Sequence, residues 1–203
     1  MNRFTRKDFI FSIVTGLMTG FIIWRVCEFI HVPRLFGMPW VILLLFVPII
    51  WIIGVRLGYF LGQWFGFFNQ FGKFAAIGFT NAAVDFGVLN LLISLTGTSE
   101  GGTYALFKSI SFLVAVVPSY VWNKYWAFDA SKSRNGTFEF VKFIVVALVS
   151  VFVNVSVAAL VVNHIHPALG LDAHQWANVG AVAGSAAALI FSFLGFKLAV
   201  FKK

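Results

Sequence analysis

The sequence predicts an all-α integral membrane protein of six transmembrane helices, the last four forming two parallel two-helix repeats. Three observations carry that prediction. Hydrophobic residues make up 60% of the 203 and charged residues only 11%, with a mean hydropathy of +0.92, whereas a soluble domain is charged at about a quarter of its positions. Six windows, at about 9–29, 40–62, 74–96, 106–127, 141–162 and 177–199, hold the roughly 20 apolar residues that a membrane-spanning helix needs. The third observation is that the chain from Phe71 onward is written twice.

The first segment follows a basic opening, MNRFTRK, that looks like the start of a signal peptide. No small-residue cleavage site follows its apolar run, and Val26 before Cys27 is a poor lipoprotein context, so it reads as an uncleaved helix. Cys27 is the only cysteine, which excludes an intrachain disulfide. About ten residues around His31, Pro33, Arg34 and Pro39 lead into the second segment, which holds Pro48 and, near its far end, Arg56. Arg56 reads as structural, its long side chain snorkelling to the headgroups, and Trp64, Phe65, Phe67 and Phe68 suit the membrane interface. Residues 1–70 do not align with the rest and are expected to form an added two-helix hairpin, leaving residues 71–203 as a four-helix domain.

Segments three and four make repeat one (71–128), and segments five and six make repeat two (138–201). Lys73 aligns with Lys142, Phe74 with Phe143, Asn81 with Ser150 and Asp85 with Asn154, all without a gap. After a longer loop in the second copy, Ser119 aligns with Ser192, Lys124 with Lys197 and Phe128 with Phe201. Each copy has an even number of spans, so both share one orientation and matching residues sit at equal depth.

The formal charge of +8 reports topology. With the N-terminus inside, twelve basic residues (Arg3, Arg6, Lys7, Arg56, Lys73, Lys124, Lys132, Arg134, Lys142, Lys197, Lys202 and Lys203) fall on the cytoplasmic side, and only Arg25, Arg34 and Lys108 fall outside. That asymmetry predicts cytoplasmic N- and C-termini, with anionic membrane lipids rather than nucleic acid facing the excess charge.

Asp85 lies 12 residues after Lys73, about 18 Å along the helix and near the bilayer centre, where a carboxylate costs about 2.5–3.5 kcal/mol and marks a functional candidate. Asn81 precedes it by one turn, and Ser150 and Asn154 repeat the spacing, so each copy carries an i, i+4 polar pair. Helix-to-helix hydrogen bonding is the structural alternative for all four. Lys73 and Lys142 open the first helix of each repeat, while Lys124 and Lys197 close the second. Ammonium groups gathered beside helix N-termini suit a lipid phosphate, although flanking lysines also serve topology alone. Pro118 is expected to kink the fourth helix just before Ser119 and Asn123, opening room near the lysines. Gly180, Gly184 and Ala188 form a small-residue stripe that predicts close packing of the sixth helix. His164, His166, Asp172 and His174 are too weak a pattern for a metal site, and no cofactor motif or enzyme signature is present.

Lys73-Phe74, Gly78, Asn81 and Val84-Asp85-Phe86, followed by Ser119 and the run Trp122-Asn123-Lys124-Tyr125-Trp126-Ala127-Phe128, resemble the GtrA-like membrane proteins over about two-thirds of the chain. The second copy departs from that ending: Phe196 stands where Asn is expected and Leu198-Ala199 replaces the aromatic–Trp pair, while Lys197 is kept. The resemblance implies a bacterial inner-membrane flippase for a polyprenyl-phosphate-linked monosaccharide, used in cell-envelope polysaccharide glycosylation. On this reading Asn123, Tyr125 and Trp126 surround Lys124, Lys124 and Lys197 take one phosphate as a pair, and Ser119 belongs to the binding set. Two other readings of the same residues stay open: a membrane anchor that recruits a polyprenyl-phosphate glycosyltransferase, and a small proton-coupled cation exporter built around Asp85. A homo-oligomer is compatible with all three.

Overall fold

The computed structural model describes residues 3–34, 37–97, 101–131, 136–165 and 173–201, and these are helical throughout, with short connections. There are six long helices among them: α1 (Arg6–Phe29), α2 (Leu43–Leu61), α3 (Phe68–Thr96), α4 (Gly101–Trp122), α5 (Gly136–His164) and α6 (Ala173–Gly195). Arg6–Phe29, Trp40–Leu61, Phe68–Thr96 and Gly136–Asn154 are long and apolar enough to cross a membrane. The 22 and 23 residues of α4 and α6 also exceed, at about 1.5 Å each, the roughly 30 Å hydrocarbon core. Exposed side chains such as Leu95 (73%) and Phe152 (72%) are apolar, the reverse of a soluble surface, and the protein is an all-α integral membrane protein.

The chain divides into two compact units, Met1–Asp129 and Ala130–Lys203, with the division falling between the two repeats. In the first unit α1 and α2 pack along each other and both pack on α3, which also carries α4. The buried positions of α1 are Asp8, Ser12, Thr15, Gly16, Thr19 and Gly20, a helical stripe of polar and small residues. In lipid the apolar side chains gain nothing by turning inward, so small residues that allow close approach and polar groups that need partners take the interior. Gly16 and Gly20 make the α1–α2 crossing: a Cβ at Gly16 would lie 2.5 Å from the Cα of Pro48, and one at Gly20 would run into the Leu43 carbonyl oxygen. α1 opens on a capping box, with the Thr5 side chain accepting from the Asp8 N–H and the Asp8 side chain accepting from the Thr5 N–H.

Pro118 lies inside α4, which is followed by a five-residue π-helix at Asn123–Ala127 closed by the Phe128 N–H on the Asn123 carbonyl. The second unit, in which α5 and α6 pack along each other, ends in the same way: a π-helix at Phe196–Val200 is closed by the Phe201 N–H on the Phe196 carbonyl. These are equivalent positions in the repeat alignment. The repeat holds at side-chain level too. The Phe74 and Phe128 rings lie 6.1 Å apart at 56°, and their counterparts Phe143 and Phe201 lie 6.2 Å apart at 56°. In the second unit a close helix approach falls at Gly195, where a Cβ would lie 2.6 Å from a Val146 methyl; Gly184 of the small-residue stripe is buried.

Candidate functional site

The beginnings of α1 and α3, the end of α2 and the π-helix after α4 meet at one end of the first unit, and the residue that joins them is Asp8. It is 1% exposed. One carboxylate oxygen accepts from the Thr5 N–H (2.9 Å), the Thr5 hydroxyl (2.7 Å) and the Tyr59 hydroxyl (2.9 Å). The other accepts from Lys73 Nζ (2.9 Å) and Trp126 Nε1 (3.0 Å). A buried carboxylate is tolerated only when it is paired and its lone pairs are filled, and here five donors from four elements fill them. The Lys73 ammonium also sits 5.2 Å from the centre of the Tyr59 ring, and Phe11 packs against Trp126 at 5.5 Å. Lys73, expected to be a flanking lysine open to a phosphate, is therefore held in an ion pair, and Trp126 serves as a hydrogen-bond donor to the same oxygen.

Next to this cluster lies the π-helix. Asn123 (1% exposed) donates through Nδ2 to the Ser119 carbonyl (2.8 Å) and to its hydroxyl (3.4 Å), while its buried Oδ1 has no hydrogen-bond donor among the described residues. Lys124 is buried, its ammonium 3.2 Å from the Tyr120 hydroxyl and 5.5 Å from the ring centre. Tyr125 points outward and is exposed. The wide turn of a π-helix displaces these side chains from the regular helical register, a device found often at functional sites.

Asp85 stands apart from the cluster, far along α3, where the Ser111 hydroxyl of α4 donates to it. Asn81 lies one turn earlier, with a buried Oδ1 that finds no donor among the described residues. Between these and the Asp8 cluster, Thr80 forms a second polar junction. It donates to the Ala76 carbonyl and receives the Thr19 hydroxyl of α1 (3.0 Å) and the Trp51 indole N–H of α2 (3.4 Å).

In the second unit Lys142 reaches the Ala199 carbonyl (3.4 Å) and lies 4.7 Å from the Phe138 ring centre. Ala199 occupies the repeat position of Trp126, so the first lysine of each repeat turns toward the same site, through Asp8 in one case and directly in the other. Lys197 sits 5.6 Å from the Phe193 ring centre, matching Lys124 over Tyr120. Phe196, which replaces the expected Asn, is buried and stacked on Phe143 at 4.2 Å and 13°. The second copy has thus exchanged an amide for an aromatic stack. Ser150 bonds back to the Val146 carbonyl (2.7 Å), and Asn154 is half-buried on α5.

Sequence reasoning missed Asp8, Tyr59, Tyr120, Thr80 and Ser111. For Asp8 a signal existed, since Thr5-x-x-Asp8 before an apolar run is a capping-box pattern and a carboxylate just inside a span needs a partner. Of the weak metal pattern, His164 closes α5 and His174 lies in α6, whereas His166 and Asp172 fall outside the described residues, as do Lys132, Arg134, Lys202 and Lys203.

The sequence profile described as GtrA/DPMS, transmembrane domain, matches residues 73–201. The chain belongs to the GtrA/DPMS transmembrane-domain family. Its GtrA/DPMS region starts at Lys73, so Asp8, outside it, binds its first residue and Trp126, and Tyr59, also outside it, donates to Asp8. The chain is also similar to an uncharacterized membrane protein, YngA, of Bacillus subtilis (strain 168), with 33% identity over 75 residues, which is 37% of this chain. The chain covers 47%, or about half, of that relative's length. No solved structure matches.

Proposed function

We propose that this GtrA/DPMS protein is a non-enzymatic flippase that carries a polyprenyl-phosphate-linked monosaccharide across the bacterial cytoplasmic membrane for cell-envelope polysaccharide glycosylation. The observation that carries the reading is the π-helix of repeat one, where buried Lys124 follows in the chain on buried Asn123, whose Oδ1 has no donor among the described residues. A phosphate-linked sugar suits that combination. Its phosphate oxygens are strong acceptors for an ammonium, and its hydroxyls donate to the amide oxygen. Ser119 holds the Asn123 amide in place, and Tyr125 and Trp126 flank the phosphate. Lys73 joins by exchanging Asp8 for the substrate, and repeat two keeps Lys142 and Lys197 in the corresponding places. Asn81, Asp85, Ser150 and Asn154 offer sugar hydroxyls polar contacts along the spans, while the prenyl chain stays in lipid. The substrate gradient, the membrane potential or a proton on Asp85 provides the drive.

Reconstitution into proteoliposomes with a panel of polyprenyl-phosphate sugars tests this. The expected result is protein-dependent movement of one sugar lipid between leaflets, lost in Lys124→Gln. A protein that moves none of the panel yet co-purifies with a polyprenyl-phosphate glycosyltransferase would transfer the function to recruitment.

A further inference from the structure

A second cationic feature lies outside the family region, in the part contributed by the hairpin. A cavity of about 530 Å³ is lined by Arg3, Phe4, Arg56, Tyr59, Gln63 and Asn69, among others. Two guanidinium groups line it and, among the described residues, no carboxylate does. Neither arginine makes an ion pair among the described residues. Arg56 lies five residues inside the end of α2, with its guanidinium 5.0 Å from the centre of the Phe4 ring. Tyr59 forms the wall shared with the Asp8 cluster, its ring beside Lys73 and its hydroxyl spent on Asp8. Asn69 is placed by the glycine that ends α2: a Cβ at Gly62 would run into its Oδ1, so any larger residue there displaces the Asn69 side chain. Its Nδ2 donates to the Gly66 carbonyl.

Taken together these groups have the chemistry of an anion receptor. Two planar, permanently charged guanidiniums match a tetrahedral oxyanion, and Gln63 adds amide donors. The volume admits a phosphorylated headgroup. We propose that this cavity binds a phosphate group, carried by a membrane lipid or free, between Arg3 and Arg56, as a site separate from the Asn123–Lys124 π-helix. The proposal stands whether or not the protein moves a sugar lipid, because it concerns residues outside the GtrA/DPMS region and its test measures binding alone.

The test uses the full chain purified in detergent, with dihexanoyl phosphatidic acid and inorganic phosphate as probes and dihexanoylglycerol as the uncharged comparator. Wild-type protein is expected to bind phosphatidic acid and not the diglyceride. Arg3→Gln and Arg56→Gln are each expected to weaken binding about tenfold or more, the loss of one charge-assisted contact. Arg3 precedes α1, so its replacement leaves every helix intact even if Arg56→Gln destabilises α2. Arg25→Gln, which removes an exposed charge paired with Glu28, is expected to change nothing. Competition by inorganic phosphate at a similar concentration assigns the site to the free ion, and failure to compete assigns it to a lipid headgroup. No phosphate-dependent binding by the wild type, unchanged binding in Arg3→Gln, or an equal loss in Arg25→Gln overturns the site.

Discussion

Asp8 gathers five donors around one buried carboxylate, and its removal has a calculable cost. Taking away one partner of a buried ion pair strands the other, typically at about 3–5 kcal/mol. Asp8→Ala leaves both the Lys73 ammonium and the Trp126 N–H without their acceptor and is expected to destabilise the protein by that order. Adding Lys73→Gln should recover part of the loss. Unfolding in detergent of the two single variants and the double variant measures the coupling, and strictly additive losses would count against the pair. At the π-helices, Lys124→Gln is expected to weaken binding of a polyprenyl-phosphate sugar roughly 10- to 150-fold, and Lys197→Gln is expected to do less. The physical difference is that Asn123 with its undonated Oδ1 adjoins Lys124, whereas Phe196 beside Lys197 is committed to its stack on Phe143. Affinities for both variants, with Lys202→Gln as the control, decide it, and equal small effects at all three positions would sink the site. Along α3, Asp85→Asn keeps a hydrogen-bond acceptor for Ser111, as the repeat partner Asn154 would, while Asp85→Leu removes it. Transport that survives Asn but not Leu indicates a polar contact; loss in both indicates that the charge or a proton is used, as the cation-exporter reading requires.

For the helices as elements, the packing of α1 on α2 rests on two glycines rather than on large side chains. A leucine at Gly16 or Gly20 must push into the backbone of Pro48 or Leu43, which cannot yield as a flexible side chain does. Overpacking costs about 1–3 kcal/mol even where side chains adjust. A Cβ at exposed Gly54 would meet nothing within 4 Å, so Gly54→Leu serves as the matched control. Melting temperatures in detergent should fall for the first two variants and hold for the third; a fall of equal size at Gly54 would show that leucine is disfavoured in these helices for reasons other than the crossing.

For the whole molecule, the first unit has an orientation that labelling can read. The starts of α1 and α3 and the end of α4 share one end, tied by Asp8 to Lys73 and Trp126 and by Lys7 to Asp129 at 3.1 Å. The basic-residue asymmetry predicts that this end faces the cytoplasm. In a Cys27→Ala background, a cysteine at exposed Arg34 is expected to react with an impermeant thiol reagent added to intact cells, and one at exposed Ser131 is not. Labelling confined to the Ser131 position would invert the topology and place the lysines outside.

Helix number, the helical type of every long segment and the repeat were legible in the sequence, because each depends on local composition or on a register of identical residues. Lys73 with Lys142, Lys124 with Lys197 and Phe128 with Phe201 align in the letters and recur in the geometry, down to paired rings at the same spacing and angle. The π-helices were not legible, since no residue pattern at Asn123–Ala127 or Phe196–Val200 marked the extra residue that each turn absorbs. Nor was the partner of Lys73, since Asp8 lies 65 positions away and only the packing of α1 on α3 brings the two within 2.9 Å. The spans follow from the transfer of residues into lipid, which the chain carries locally. Which buried charge meets which, and which acceptor is left without a donor, follows from helix contacts between distant positions, and only the tertiary structure decided those.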